Sequence, residues 1–136
     1  MENKKVKIIA EIGINHNGDI NLAKKMIDVA IVAGCDFVKF QKRNPDICVP
    51  ERQKSIIKST PWGDMTYLDY KFKVEFGKKE YDEIDDYCKK KNINWLASVW
   101  DMDSVDFMLQ YGSTRKIPSA LTVSYTHLTL PTTPYV

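Results

Sequence analysis

The sequence predicts an α/β fold with a parallel sheet, on three observations. β-Branched and aromatic runs alternate with helical patterns along the chain. The runs are separated by enough residues for helical crossovers, which parallel strands require. Polar residues, Lys39, Gln41, Ser98 and Lys116, stand inside or at the ends of the strand segments. Alternation alone leaves a doubly wound sheet and a closed (β/α)8 barrel both open. The polar strand residues favour the barrel, where they point into the lumen near its C-terminal rim. In an open sheet the lysines would lie under helices with little to pair them.

The elements follow in order. The first strand is expected at residues 6–12, from its β-branched content. A helix follows at 21–33, with Asp19 as N-cap and Gly34 as stop. Its expected apolar stripe is Leu22, Met26, Val29, Ala30 and Ala33. The second strand, 36–41, places Phe37, Lys39 and Gln41 on one face and Val38 and Phe40 on the other. Residues 42–76 carry Pro45, Pro50, Pro61 and Gly63, so an irregular connection with one or two short helices is expected. A helix at 78–91 has Tyr81, Ile84, Tyr87 and Cys88 on its apolar side. The third strand is expected at 93–98. A helix at 102–111 turns Val105, Met108 and Leu109 inward and ends at Gly112, and a short fourth strand is expected at 116–117.

Composition narrows the class. The chain has 136 residues, 43% hydrophobic and 28% charged, which suits a single folded domain. A net charge of +2 with scattered lysines implies no nucleic-acid partner. The start, Met1-Glu2-Asn3-Lys4-Lys5, is charged and no apolar run is long enough to span a membrane, so no secretory signal or membrane association is expected. Cys35, Cys48 and Cys88 match no metal motif, and an odd count suits reduced thiols in a cytoplasmic protein.

Ala10-Glu11-Ile12-Gly13-Ile14-Asn15-His16-Asn17-Gly18 is the most informative stretch. It delivers a carboxylate, an amide and an imidazole to the end of one strand, where parallel α/β folds place their chemistry. Glu11 is costly in a buried strand unless it is used or pairs with a neighbouring strand's lysine. Lys39 and Lys116, with the hydroxyls of Ser98 and Ser119 and the amide of Gln41, would make a cradle for a phosphate and a carboxylate. Glu11 and His16 would sit beside it, able to handle a hydroxyl-rich partner or a proton. Two lysines from separate strands favour anion binding over a purely structural role.

The pattern breaks near Thr122. Residues 123–133 hold no charge, and the segment resembles the in-frame translation of a sequencing-library adapter. Residues 123–136 therefore read as a non-native tail, His127 is not counted as a ligand, and the native sequence is expected to continue past Leu121 or Thr122.

The motifs also carry a family resemblance. Residues 10–18, the run Val38-Lys39-Phe40-Gln41, the helix segment from Leu22 to Asp28, and Lys116-Ile117-Pro118-Ser119 resemble the sialic acid synthase family, which comprises N-acetylneuraminate synthase and its legionaminate and pseudaminate relatives. The resemblance runs over residues 5–122. It implies a truncated (β/α)8 TIM barrel, the first four βα units, with 1–122 as the N-terminal half. It also implies a C-terminal antifreeze-like domain in the complete protein, usually capping the partner's barrel in a homodimer.

The family condenses phosphoenolpyruvate with an N-acyl amino sugar such as N-acetylmannosamine, using a divalent metal, manganese or magnesium. By motif position, Lys39, Ser98, Lys116 and Ser119 resemble the phosphoenolpyruvate-binding set, with Gln41 in support. Glu11 resembles the catalytic carboxylate at the sugar aldehyde, with Asn15 and His16 shaping the substrate loop. The family's metal-binding histidines lie on later strands, so no metal ligand is expected in this chain. Ser98-Val99 and Ala120-Leu121 depart from the family's usual Thr-Pro and Gly-Glu pairs. Two alternatives stand beside this reading: an inactive barrel fragment with at most weak anion binding, and another phosphoenolpyruvate-using barrel aldolase.

Overall fold

The computed structural model describes residues 6–112 and 114–121. The expected tail, 123–136, lies outside the described residues. The elements are β1 (Ile9–Gly13), α1 (Ile20–Val32), β2 (Phe37–Lys42), α2 (Pro45–Cys48), α3 (Glu51–Lys54), β3 (Ile57–Thr60), β4 (Gly63–Thr66), α4 (Tyr67–Val74), α5 (Lys78–Lys91), β5 (Asn94–Val99), α6 (Met102–Leu109) and β6 (Arg115–Lys116). A short 3-10 turn, Ser119–Leu121, follows.

β1, β2, β5 and β6 form a four-stranded sheet in that order, every neighbouring pair parallel. The spatial order follows the chain without reversal, unlike a doubly wound sheet, whose order reverses at a switch point. The outward face of the sheet, with Val38, Phe40, Trp95, Ala97 and Val99, is buried with Ala23 and Ile27 of α1, Tyr81, Ile84 and Cys88 of α5, and Met108 of α6. Helices on one face and polar residues on the other are the layout of consecutive barrel strands. Tyr81 is the hub of this core. Its ring stacks on Trp95 at 5.7 Å, and its hydroxyl donates to the Gln41 carbonyl at 2.6 Å.

Several sequence expectations shift. β1 starts at Ile9 rather than Val6, because its partner strand begins at Phe37. Before that point Ile8 is held by a different set of bonds: its N–H donates to the Asp36 carboxylate at 2.9 Å, and its carbonyl accepts from Asp36 and Phe37. Asp19 caps α1 as expected, accepting from the N–H groups of Asn21 and Leu22. The buried face of α1 is Ala23, Ile27 and Ala30, whereas Val29 is 68% exposed. Of the expected stripe, Ala30 is buried and Met26 packs against the core, while Val29 turns to solvent and Ala23 and Ile27 take the inner positions. α6 buries Ser104 and Met108 and leaves Leu109 exposed.

The connection after β2 is more ordered than its prolines imply. It holds the short helices α2 and α3, an antiparallel hairpin β3–β4, and α4. Asn44 caps α2, with Pro45 in its first turn. The hairpin is exposed along most of its length, so it carries no apolar alternation to betray it. Among the described residues no helix is long and apolar enough to cross a membrane.

Candidate active site

The loop after β1 is set by a local turn. Asn17 and Gly18 both have positive φ, 51° and 76°, the signature of a type I′ turn, and Asp19 N donates back to the His16 carbonyl at 2.9 Å. Gly18 is required here, since a Cβ would lie 2.2 Å from the Lys73 carbonyl oxygen. The β1–β2 register shifts between Glu11 and Gly13, and Gly13 also has positive φ. This irregularity sends Ile14 and Asn15 over the strand ends.

Register then lines up the polar groups. Glu11 pairs with Lys39 across β1 and β2; one step higher, Gln41, Ser98 and Lys116 form a single row across β2, β5 and β6. These rows open into a cleft of about 310 Å³ at the carboxyl ends of the strands. The cleft brings together Glu11, Asn15, Lys39, Gln41, Ser98, Lys116 and Ser119. Gly13, Trp100 and Pro118 also line it; Gly13 and Pro118 fall within the sequence motifs, and Trp100 does not. Trp100 had a signal: it lies two residues beyond Ser98, on the same side of the strand.

Lys39 is the centre of the cleft. It makes an ion pair with Glu11 and donates to Ser98 Oγ at 3.1 Å. The paired state that the sequence left open for Glu11 is thus present, although half of the Glu11 side chain remains exposed. No ion-pair or hydrogen-bond partner holds Lys116 among the described residues. The lining therefore carries two cations against one carboxylate, a net attraction for an anion. Asn15 Nδ2 donates to the Ile12 carbonyl at 3.0 Å, which tightens the loop at the cleft mouth.

His16 departs from expectation. It does not line the cleft; it is 2% exposed and stacks on Phe76 at 3.8 Å. Its Nδ1 accepts from Gly18 N at 3.1 Å. Burial pulls its pKa down from 6.5 to about 4, against a backbone hydrogen bond at Gly13 and the charge of Asp19. It is a neutral strut beneath the loop rather than a group facing the cleft, because the end of α4 and Phe76 close over it. Among the described residues no group of three or more His, Cys, Asp or Glu side chains could hold a metal ion. The described residues do not fit a metal centre.

A parallel sheet in chain order, with helices on one face and a polar cleft at its strand ends, is the layout of part of a barrel. The NeuB family model matches residues 26–132, and the chain belongs to the NeuB family. It is 42% identical over 120 residues to the N,N'-diacetyllegionaminic acid synthase of Campylobacter jejuni, covering 85% of this chain and 36% of that protein. It is 39% identical to the N-acetylneuraminate-9-phosphate synthase of Drosophila melanogaster, covering 76% of this chain and 28% of that protein. The crystal structure of an N-acetylneuraminic acid synthetase from Leptospira borgpetersenii, in complex with citrate, superposes with a TM-score of 0.77 at 33% identity. That match covers 93% of this chain and 40% of the other. The chain therefore spans about a third of the length of the relatives it matches, and its fold is part of a (β/α)8 barrel.

Proposed function

We propose that this chain forms the phosphoenolpyruvate-binding part of a synthase that joins phosphoenolpyruvate to an N-acyl amino sugar, such as N-acetylmannosamine, giving a sialic-type acid and phosphate. The observation that carries it is Lys39, hydrogen-bonded to Ser98 beside Glu11, with Lys116 in the same cleft. Two cations and hydroxyl donors suit a ligand that bears both a phosphate and a carboxylate. Membership of the NeuB family supports the reaction class.

In this reading, Lys39, Ser98, Lys116 and Ser119 bind phosphoenolpyruvate, with Gln41 in support. Glu11 and Asn15 meet the sugar at the aldehyde. The enol carbon of phosphoenolpyruvate bonds to the aldehyde carbon, whose oxygen takes up a proton. Water adds to the carbon left electron-poor, and phosphate departs with cleavage of the C–O bond. The complete enzyme is proposed to be a cytoplasmic homodimer, with its manganese or magnesium ligands supplied outside this chain.

The test is phosphate release by the full-length enzyme that carries this sequence. Release from phosphoenolpyruvate is expected only with an N-acyl amino sugar and added divalent metal. Release with erythrose 4-phosphate or arabinose 5-phosphate, and none with N-acyl mannosamines, would place the enzyme among other phosphoenolpyruvate-using barrel aldolases. One observation favours a second reading of the chain by itself. β1 and β6 each have only one neighbour, so the described strands make an unclosed sheet. Alone, the chain is then an inactive fragment with at most weak anion binding.

A further inference from the structure

Gln41 lies in the row of cleft residues, yet an amide can present either its oxygen or its nitrogen. Arg43, two residues further on, settles which. Its guanidinium donates to Gln41 Oε1. A guanidinium has no acceptor, so only the amide oxygen can face it. The nitrogen is then turned toward Gly13 and Glu11. A Cβ on Gly13 would lie 3.4 Å from Gln41 Nε2 and equally close to Glu11 Oε1, which puts both atoms at that wall of the cleft.

Arg43 is itself held from three sides. Its guanidinium carbon lies 4.6 Å over the ring of Trp100, which also lines the cleft. Its backbone N–H donates to Glu75 at 3.0 Å, and the next N–H, of Asn44, donates to Asp101 at 2.7 Å. Trp100 N donates to the Lys42 carbonyl at 3.1 Å, which ties the ends of β2 and β5 together. The Arg43 Nε is buried without a partner, so stacking on Trp100 and the bond to Gln41, not full hydrogen bonding, set its pose.

We propose that Arg43, clamped on Trp100, is a positioning residue that fixes Gln41 with its amide nitrogen toward the cleft, as a donor to an anionic ligand. This rests on the proposed phosphoenolpyruvate site. It implies that the cleft discriminates in favour of oxygen-rich anions through a group that Arg43 never lets rotate.

The test is a double-mutant cycle in the full-length enzyme, read as KM for phosphoenolpyruvate and as kcat. Arg43→Met is expected to raise KM on the order of tenfold, the low end for outer supports of a site, with kcat little changed. Arg43→Lys should behave alike, since lysine loses the planar fork and the stack. In a Gln41→Ala background either Arg43 change should add nothing further, because coupled residues are not additive. Additive losses, a normal KM in Arg43→Lys, or loss of folding in both Arg43 variants would overturn the proposal and make Arg43 structural or merely charged. A normal KM in Gln41→Ala would instead sink the reading of the cleft. A raised KM there, with normal Arg43 variants, would sink the inference alone.

Discussion

Lys39 stands in register with Glu11 on one neighbouring strand and reaches Ser98 on the other, so a single ammonium links three strands at the floor of the cleft. The Lys39 side chain is mostly buried, while that of Glu11 is 51% exposed. The two ends of the pair therefore respond differently to its loss.

Replacing Lys39 is expected to harm binding more than folding. In Lys39→Met, Glu11 stays hydrated, so stability should change by no more than about 1 kcal/mol. An anionic ligand, in contrast, loses its central cation, at about 3 kcal/mol or more. KM for phosphoenolpyruvate should rise roughly a hundredfold, measured beside a urea denaturation curve. Unchanged KM and rate would make Lys39 purely structural.

Gly18→Ala should be among the most damaging small changes in the loop. The new methyl would lie 2.2 Å from the Lys73 carbonyl and would also have to adopt φ +76°. Overpacking against backbone predicts a loss of about 2–3 kcal/mol. Gly34→Ala is the control, with φ +78° and nothing within 4 Å of the added carbon. It should cost only the conformational strain, about 1–2 kcal/mol. Equal urea midpoints for the two variants would remove the contact with Lys73 as the cause.

His16 should make stability depend on acid. Its pKa is about 4 in the fold against an ordinary 6.5. Between those values the unfolded chain binds a proton that the folded chain refuses. Stability from this group is complete above about pH 7 and falls as pH drops toward 4, by about 3 kcal/mol in total. Glu75, whose pKa is raised by burial, works in the opposite direction. The informative quantity is thus the difference between the native sequence and His16→Phe in urea denaturation at pH 7.5 and pH 4.5. A native curve that loses no more than the variant's would place His16 in water.

The 136-residue chain alone is expected to associate and to lack synthase activity. Among the described residues β1 and β6 have unpaired strand edges, and α1 exposes Val29 and Val32 beside β1. Trp95 lies on the helix side, 7% exposed and stacked on Tyr81, so it adds nothing to the sticky surface. Sedimentation velocity should show material larger than a monomer. A monomer that unfolds cooperatively and consumes phosphoenolpyruvate with manganese and N-acetylmannosamine would overturn this expectation.

The sequence by itself determined the order of the four parallel strands and the helices between them, the cap and stop of α1, and the set of polar residues that meet at the strand ends. These are local signals. A period of two assigns Lys39 and Gln41 to one face, Asn-Gly specifies the turn after β1, and Asp19 specifies where α1 begins. Tertiary structure alone decided which face of α1 is buried, that residues 57–66 pair as a hairpin, and that His16 is roofed by Phe76 rather than open to the cleft. It also decided that Arg43 meets Trp100, 57 positions away along the chain. Those outcomes depend on contacts between residues far apart in sequence, and local periodicity carries no record of what will pack on top of a side chain.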